Sequence, residues 1–264
     1  KSVSDWDTFT ATAEKMKAAG YNMVSSVNDT YRVYSNNVSS KWVQDGKIVI
    51  DDNLMKWVDD SKKMVDAKET GTFDLWSDDW SKGFYPDGKV FCYFGPAWLI
   101  NFSMAADTDG SIANQGGWGA TEGPQGFFWG GTWIVVNPKT DNGEEARDFI
   151  ISATSNEDQM STYAVNKPEY VNNSKVMDDL ISSNTVFNEK ITNNLGGQNF
   201  YAELADNAKT IDFNGLITPY DATVKTDFIN VVKEQYLEGG ASWDDTVEAF
   251  KDKIAEDVTA IDVE

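Results

Sequence analysis

Residues 86–98 read Pro86-Asp87-Gly88-Lys89-Val90-Phe91-Cys92-Tyr93-Phe94-Gly95-Pro96-Ala97-Trp98. Pro86, Asp87 and Gly88 make a turn, the proline ring presetting φ and the glycine accepting positive φ without steric cost. Lys89 to Phe94 is β-branched and aromatic with almost no polar break, which predicts a strand buried on both faces. Gly95 and Pro96 end it, and Pro96 suits the first turn of a helix, where its missing N–H is not needed. That helix is expected to run to Ala106. Ligands of open α/β sheets bind beyond the carboxyl ends of strands. Trp98, at the mouth of the strand-to-helix turn, is therefore a candidate ligand contact, with a core role as its alternative.

Outward from this stretch, 264 residues suffice for one large domain or two small ones, and 41% hydrophobic with 13% aromatic residues support a sizeable core. Lysine plus arginine number 22 against 43 aspartates and glutamates, a formal net charge of −21, which disfavours nucleic acid and anionic lipid as partners. The absence of histidine removes Ser-His-Asp and Cys-His catalysis and histidine zinc sites. The single cysteine, Cys92, excludes an intramolecular disulfide and a cysteine metal cluster, and its apolar strand makes it a core thiol. No cofactor and no metal are expected. No run approaches the ~18 apolar residues of a membrane span. The chain opens at Lys1 without a signal peptide, so any export signal is expected to have been removed.

In chain order, Ser4 and Asp7 read as a capping box with Asp where Glu or Gln is usual. Trp6, Phe9, Ala13, Met16 and Ala19 then repeat at helical spacing up to Gly20. Residues 21–27 predict a strand, with residues 28–32 a polar loop at its carboxyl end. Asp45-Gly46 is a hairpin turn between short strands at 42–43 and 48–50. Asp51 or Asp52 caps a helix carrying Leu54, Trp57, Val58, Met64 and Val65, which Gly71 ends. Trp76 and Trp80 lie four apart, hence on one helical face, among Asp78 and Asp79, either as core or as ligand contacts.

Residues 128–136, through Trp129, Gly130, Gly131 and Trp133, turn into a strand whose adjacent glycines let the backbone approach a ligand. Helices at 142–153 and 156–164 put Ala146, Phe149 and Ile150 inward, and Asn-rich loops with short helices occupy 166–195. Leu195-Gly196-Gly197-Gln198-Asn199 sets a second glycine pair beside two amides that both donate and accept. Residues 218–221 open a long helix reaching Gly239, and Ser242 caps the last helix, with Trp243, Val247, Phe250 and Ile254 spaced by three and four. Neither glycine pair matches a phosphate-binding or dinucleotide-binding pattern.

Sugar sites need flat apolar platforms for the C–H faces of pyranose rings and planar polar groups for the hydroxyls. Ten tryptophans, several beside Gly or Asp in turns, fit a saccharide cleft, and an aromatic-rich core explains them as well. Several segments, in their joint order, resemble bacterial extracellular solute-binding proteins, the sugar-capturing components of ABC importers. They are the opening Ser-Asp-Trp-Asp-Thr-Phe helix, Asp-Gly-Lys-Val with Gly-Pro-Ala-Trp, Trp-Gly-Gly-Thr-Trp, Leu-Gly-Gly-Gln-Asn, Thr-Pro-Tyr-Asp and the closing Leu-Glu-Gly-Gly-Ala-Ser-Trp-Asp-Asp-Thr. Ala97, between Pro96 and Trp98, departs from the family spacing.

The resemblance implies an α/β, periplasmic-binding-protein-like (type II) fold with two lobes around a cleft. It implies a binding protein and not an enzyme, one that passes an extracellular mono- or oligosaccharide to the membrane subunits of an importer. It also implies a cell-surface location with a lipid anchor on a removed N-terminal signal. Asp29 and Tyr31 resemble an acidic-x-aromatic pair that contacts sugar in maltose-type members, and Trp98 resembles the stacking tryptophan after Gly-Pro. Trp76, Trp129, Gly130, Gly131, Gln198, Asn199 and Tyr220 complete the candidate ligand contacts. A first lobe of about 110–130 residues precedes the opening helix in that family, the size of one ordinary domain. The expected division is thus 1–125 as the first part of the C-terminal lobe, 126–165 as a segment returning to the N-terminal lobe, and 166–264 as completion of the C-terminal lobe with the closing helices. The surface left by the absent lobe is expected to expose an unpaired edge that invites dimerisation.

Two other classes compete. A glycoside hydrolase or other polysaccharide-active enzyme would draw a carboxylate pair ~5–9 Å apart from Asp29, Asp78, Asp79 and Asp221, yet nothing singles out two of 43 acidic residues. A surface carbohydrate-binding or adhesion module predicts an all-β pattern, against which the capped amphipathic helices argue.

Overall fold

Asp5 starts the first helix: its carboxylate accepts from the Thr8 N–H at 2.7 Å while the Thr8 hydroxyl accepts from the Asp5 N–H at 3.3 Å. This reciprocal box sits one residue beyond the expected Ser4 cap, and helix α1 runs Trp6–Ala18. Gly20 follows in left-handed backbone (φ +83°), as its position predicts. The computed structural model describes residues 3–167, 169–183, 193–213 and 215–261.

Strand β1 (Asn22–Val24) pairs in parallel with β4 (Val90–Cys92), Asn22 opposite Val90 and Val24 opposite Cys92. Parallel pairing demands a long crossover. Here it consists of α2 (Asn28–Ser35), the hairpin β2 (Val43–Gln44) and β3 (Lys47–Ile48), α3 (Asp52–Asp66) and α4 (Asp78–Ser81). Beyond β4 come α5 (Ala97–Phe102), α6 (Gly143–Ser155), α7 (Glu157–Asn166), α8 (Ser174–Ser182) and α9 (Tyr201–Ala208). The chain closes with α10 (Asp221–Val231), prolonged by a π-helical segment Val232–Glu238, and α11 (Trp243–Asp257), capped by Ser242. None of the described helices is long and apolar enough to cross a membrane.

Several expectations change. The strand after Gly88 is short and not buried on both faces: Val90 is buried but Phe91 is 38% exposed. Among the described residues β4 has one neighbour, so no second ladder covers it. The left-handed residue of the turn is Lys89 (φ +49°) and not Gly88. Gly88 is required by packing, because a Cβ there would lie 2.1 Å from the Lys82 carbonyl oxygen.

Residues 28–32 are not a loop but the first turns of α2. Val27, Tyr31 and Tyr34 are spaced by four and three, and all three enter one core cluster, so tertiary burial overrides the polar look of the segment. Helix α3 is capped by Asp51 and ends at Asp66, well before Gly71. Trp76 precedes α4 in left-handed backbone (φ +71°), so it does not share a helical face with Trp80.

Residues 128–136 form no strand: with no ladder partner among the described residues, Trp133 and Val135 stand 69% and 85% exposed. In α6 no residue is fully buried and Phe149 is exposed, contrary to its expected inward placement. Its described packing partner is α7, which leaves the rest of the surface uncovered. Of the loops and short helices expected over 166–195, α8 is observed, and 184–192 lie outside the described residues.

Four apolar clusters hold these elements. The largest joins α2 and α3 to α10 and α11 through Tyr31, Tyr34, Leu54, Trp57, Phe228 and Phe250. A second gathers α7, α8 and α9 around Met177 and Tyr201. The third packs α1 on the parallel strands through Phe9, Met23, Val24 and Phe94, and the fourth centres on Trp80, Phe84 and Leu99.

The Gly88 turn yields a direct test. Gly88→Ala must displace the Lys82 carbonyl or the turn itself, and overpacking of that kind costs about 1–3 kcal/mol. Urea denaturation of the variant is expected to show that loss, and an unchanged midpoint would refute the steric account.

Candidate functional site

The carboxyl ends of the two parallel strands meet at Trp80, which is 1% exposed. Its backbone carbonyl accepts from the Ser25 hydroxyl just past β1 (3.1 Å) and from the Tyr93 hydroxyl just past β4 (2.8 Å). Its indole N–H donates to Asp29 at 2.9 Å, and the Ser26 N–H donates to the same carboxylate at 3.0 Å. Asp29 is fully buried. Burial drives its pKa up to about 7, with the Trp80 and Ser26 hydrogen bonds opposing the rise.

Above Trp80 lies a tryptophan cluster. The Trp76 ring, 45% exposed, stands 4.8 Å from Trp80 in an edge-on contact, 5.5 Å from Trp98 at 30°, and 6.1 Å from Trp129 at 78°. Trp98 is half-buried against the third core and Trp129 is buried in it. The Arg32 guanidinium carbon sits 4.8 Å above the Trp129 ring, within cation–π range.

Arg32 also lines a neighbouring cavity of about 200 Å³. Tyr31, Ser35 and Asp51 of the crossover form one wall, Phe128 and Phe213 add apolar surface, and Asp221 with Lys225 close it from α10. Asp51 is already satisfied: its Oδ2 accepts from the N–H and hydroxyl of both Ser39 and Ser40, and its Oδ1 from the Asn53 N–H. Burial would raise its pKa, but these hydrogen bonds outweigh burial and hold it below the usual carboxylate range. Asp221 accepts from the Thr218 N–H at 3.0 Å and from its hydroxyl. The Tyr31 hydroxyl is buried and makes no hydrogen bond of normal geometry among the described residues.

The expected contacts are thus divided. Trp76, Trp98 and Trp129 are brought together, with Asp29 beneath them through Trp80 and Tyr31 on the cavity wall. Gly130 follows Trp129 in left-handed backbone (φ +76°), and Gly131 is exposed beside it. Gln198 is occupied elsewhere: it bridges the Ala120 N–H and carbonyl at 2.8 and 2.6 Å and donates to Glu203. The Asn199 side-chain amide oxygen (Oδ1) accepts from the Tyr201 N–H at the start of α9, and Tyr220 packs on the first core where α10 begins. Sequence reasoning missed Arg32, Phe128 and Lys225. Arg32 is one of two arginines in the chain, and that scarcity beside Tyr31 was the available signal. Lys225 carried none, since its helix was read from its apolar positions.

A family model described as bacterial extracellular solute-binding protein matches residues 1–188. No curated protein matches the sequence. Two solved structures share the fold. One, described as an extracellular solute-binding protein family 1, is 17% identical with a TM-score of 0.71, over 98% of this chain and 64% of its own. The other is the ABC transporter associated binding protein from B. animalis subsp. lactis Bl-04 in complex with beta-1,6-galactobiose, 18% identical with a TM-score of 0.71, over 99% of this chain and 68% of its own. The chain therefore spans about two thirds of the length of each.

The enclosed Asp29 sets a pH dependence. Its folded pKa of about 7 exceeds the ordinary 3.8, so the folded state binds the extra proton between those values. Its contribution to stability is full below about pH 4, declines as pH rises, and is gone above about pH 7. Denaturation of the wild type and Asp29→Asn across this range is expected to show the wild type losing stability relative to the variant with rising pH. A constant difference would refute the assignment.

Proposed function

We propose a function that starts from family membership: the chain belongs to the bacterial extracellular solute-binding proteins, and its solute is a carbohydrate held on the tryptophan cluster. The observation that carries this reading is the Trp76–Trp98 pair, two partly exposed rings 5.5 Å apart and inclined by 30°, walled by Trp129. Such a surface offers flat apolar area to the C–H faces of a sugar ring. The cavity beside it supplies the Arg32, Lys225 and Tyr31 donors and the Asp221 acceptor for hydroxyls. Asp29 acts from below by positioning Trp80, and the left-handed backbone at Gly130 brings main chain to the rim. A mono- or oligosaccharide is the ligand class, and the galactobiose complex of a protein with the same fold supports it.

Transfer of the sugar to the membrane subunits of an ABC importer, outside the cell and from a lipid anchor, completes the reading. The division at 126–165 belongs to it as well. The uncovered apolar residues Trp133, Ile134, Val135, Val136 and Phe149 are where a further lobe packs, or a second copy in its place. Hydrolysis is the weaker reading. Of Asp29, Asp78, Asp79 and Asp221, Asp221 alone lines the cavity, while Asp29 is enclosed and Asp79 is paired with Lys82. Asp51, the other carboxylate there, is held ionised and so is a poor proton donor.

Calorimetry against mono- and oligosaccharides, amino acids and polyamines tests the class, and a response confined to amino acids or polyamines would refute it. Trp76→Ala and Trp98→Ala are each expected to weaken sugar binding by about 1–3 kcal/mol, roughly 5- to 150-fold, with little change in the unfolding transition. A loss of about 3–5 kcal/mol of stability in Trp98→Ala would instead assign that ring to the core.

A further inference from the structure

Arg32 and Lys225 face one cavity from opposite elements, α2 and α10. Both are half-buried, and neither makes an ion pair or a side-chain hydrogen bond among the described residues. By contrast, Lys82, Arg147 and Lys175 meet aspartate or glutamate at the surface. Burial, followed by the Arg32 charge, pushes the Lys225 ammonium below its ordinary pKa, and Asp221 opposes that only in part. Burial likewise lowers the Arg32 guanidinium. Half-buried cations without a direct ion pair are costly. Asp51 and Asp221 also line the cavity, hydrogen-bonded by Ser39, Ser40 and Asn53 or by Thr218, and among the described residues neither pairs directly with Arg32 or Lys225.

The Tyr31 hydroxyl adds a separate observation. It lines the same cavity, is buried, and lacks a hydrogen bond of normal geometry, with the Ser35 hydroxyl beside it. The Arg32 guanidinium, 4.8 Å above Trp129, makes no hydrogen bond among the described residues, and its planar fork of N–H donors matches a carboxylate. The rest of the acidic chain opposes an anion only weakly at this spot, because charges beyond a Debye length of about 8 Å are largely screened at physiological salt.

We infer that this cavity takes the carboxylate of a uronic acid, so that the bound saccharide is an acidic one, with Arg32 and Lys225 as the counter-charges and the Tyr31 hydroxyl as an added donor. The inference rests on the reading of the chain as a sugar-binding protein and names the sugar class. Calorimetry of this chain should compare galacturonate, galacturonate methyl ester, galactose and galactose 6-sulfate, with the corresponding glucose series alongside. A uronate is expected to bind about 10- to 100-fold tighter than its neutral ester or parent sugar, the range of a charge-assisted contact. Lys225→Gln and Arg32→Gln should each bring the ratio of uronate to neutral-sugar affinity to within a few fold of one, whatever either does to sugar binding as a whole. Neutral sugars binding as tightly as uronates would overturn the inference and leave sugar binding intact. Equal affinity for the 6-sulfate would overturn the carboxylate assignment, and no response to any sugar would overturn both readings.

Discussion

A buried indole–carboxylate bond, Trp80 to Asp29, is the contact on which the site depends. Trp80 touches the end of each parallel strand through its carbonyl and the start of α2 through its indole N–H, so one residue fixes three elements. Enclosing a carboxylate in such surroundings is unfavourable, which its raised pKa records. What the arrangement secures is geometry. Trp76 leans on Trp80, Trp98 and Trp129 lean on Trp76, and Arg32 stacks on Trp129, so the groove inherits its shape from a fully enclosed centre.

Charge is distributed unevenly over the molecule. Most ion pairs, such as Lys62–Asp66 and Arg147–Asp148, join exposed side chains and contribute little to stability. Four enclosed or partly enclosed polar groups lie near one end of the sheet and along α2 and α10: Asp29, Tyr31, Arg32 and Lys225. Enclosing these groups concedes stability at the groove.

Local chemistry was legible wherever a residue acts on its own neighbours. The Asp45-Gly46 hairpin, the Asp51 and Ser242 caps and the glycine after α1 follow from turn and cap rules, and the structure contains each. Legibility failed where distant burial decides. The segment at 28–32 looks like a loop because Asn28, Asp29 and Thr30 are polar, yet Trp80, 51 positions away, supplies the partner that lets Asp29 go inside. The reverse happened at 128–136, whose β-rich residues lack a ladder to join. For the site, Trp98 and Trp129 were readable from turn-placed aromatics, whereas Lys225 becomes a groove residue only because α10 crosses beside α2.

The largest core joins two segments far apart in sequence: Val27 to Val58 supply one half, and Val224 to Ile261 the other. A ribosome delivers those halves far apart in time. Until α10 and α11 emerge, Tyr31, Trp57 and their neighbours lack the facing half of their core, and until α10 emerges the cavity between α2 and α10 has only one wall. The cavity is thus closed only once Lys225 has been made, and a product cut short before α10 lacks its second wall along with Val224 and Phe228 of the core.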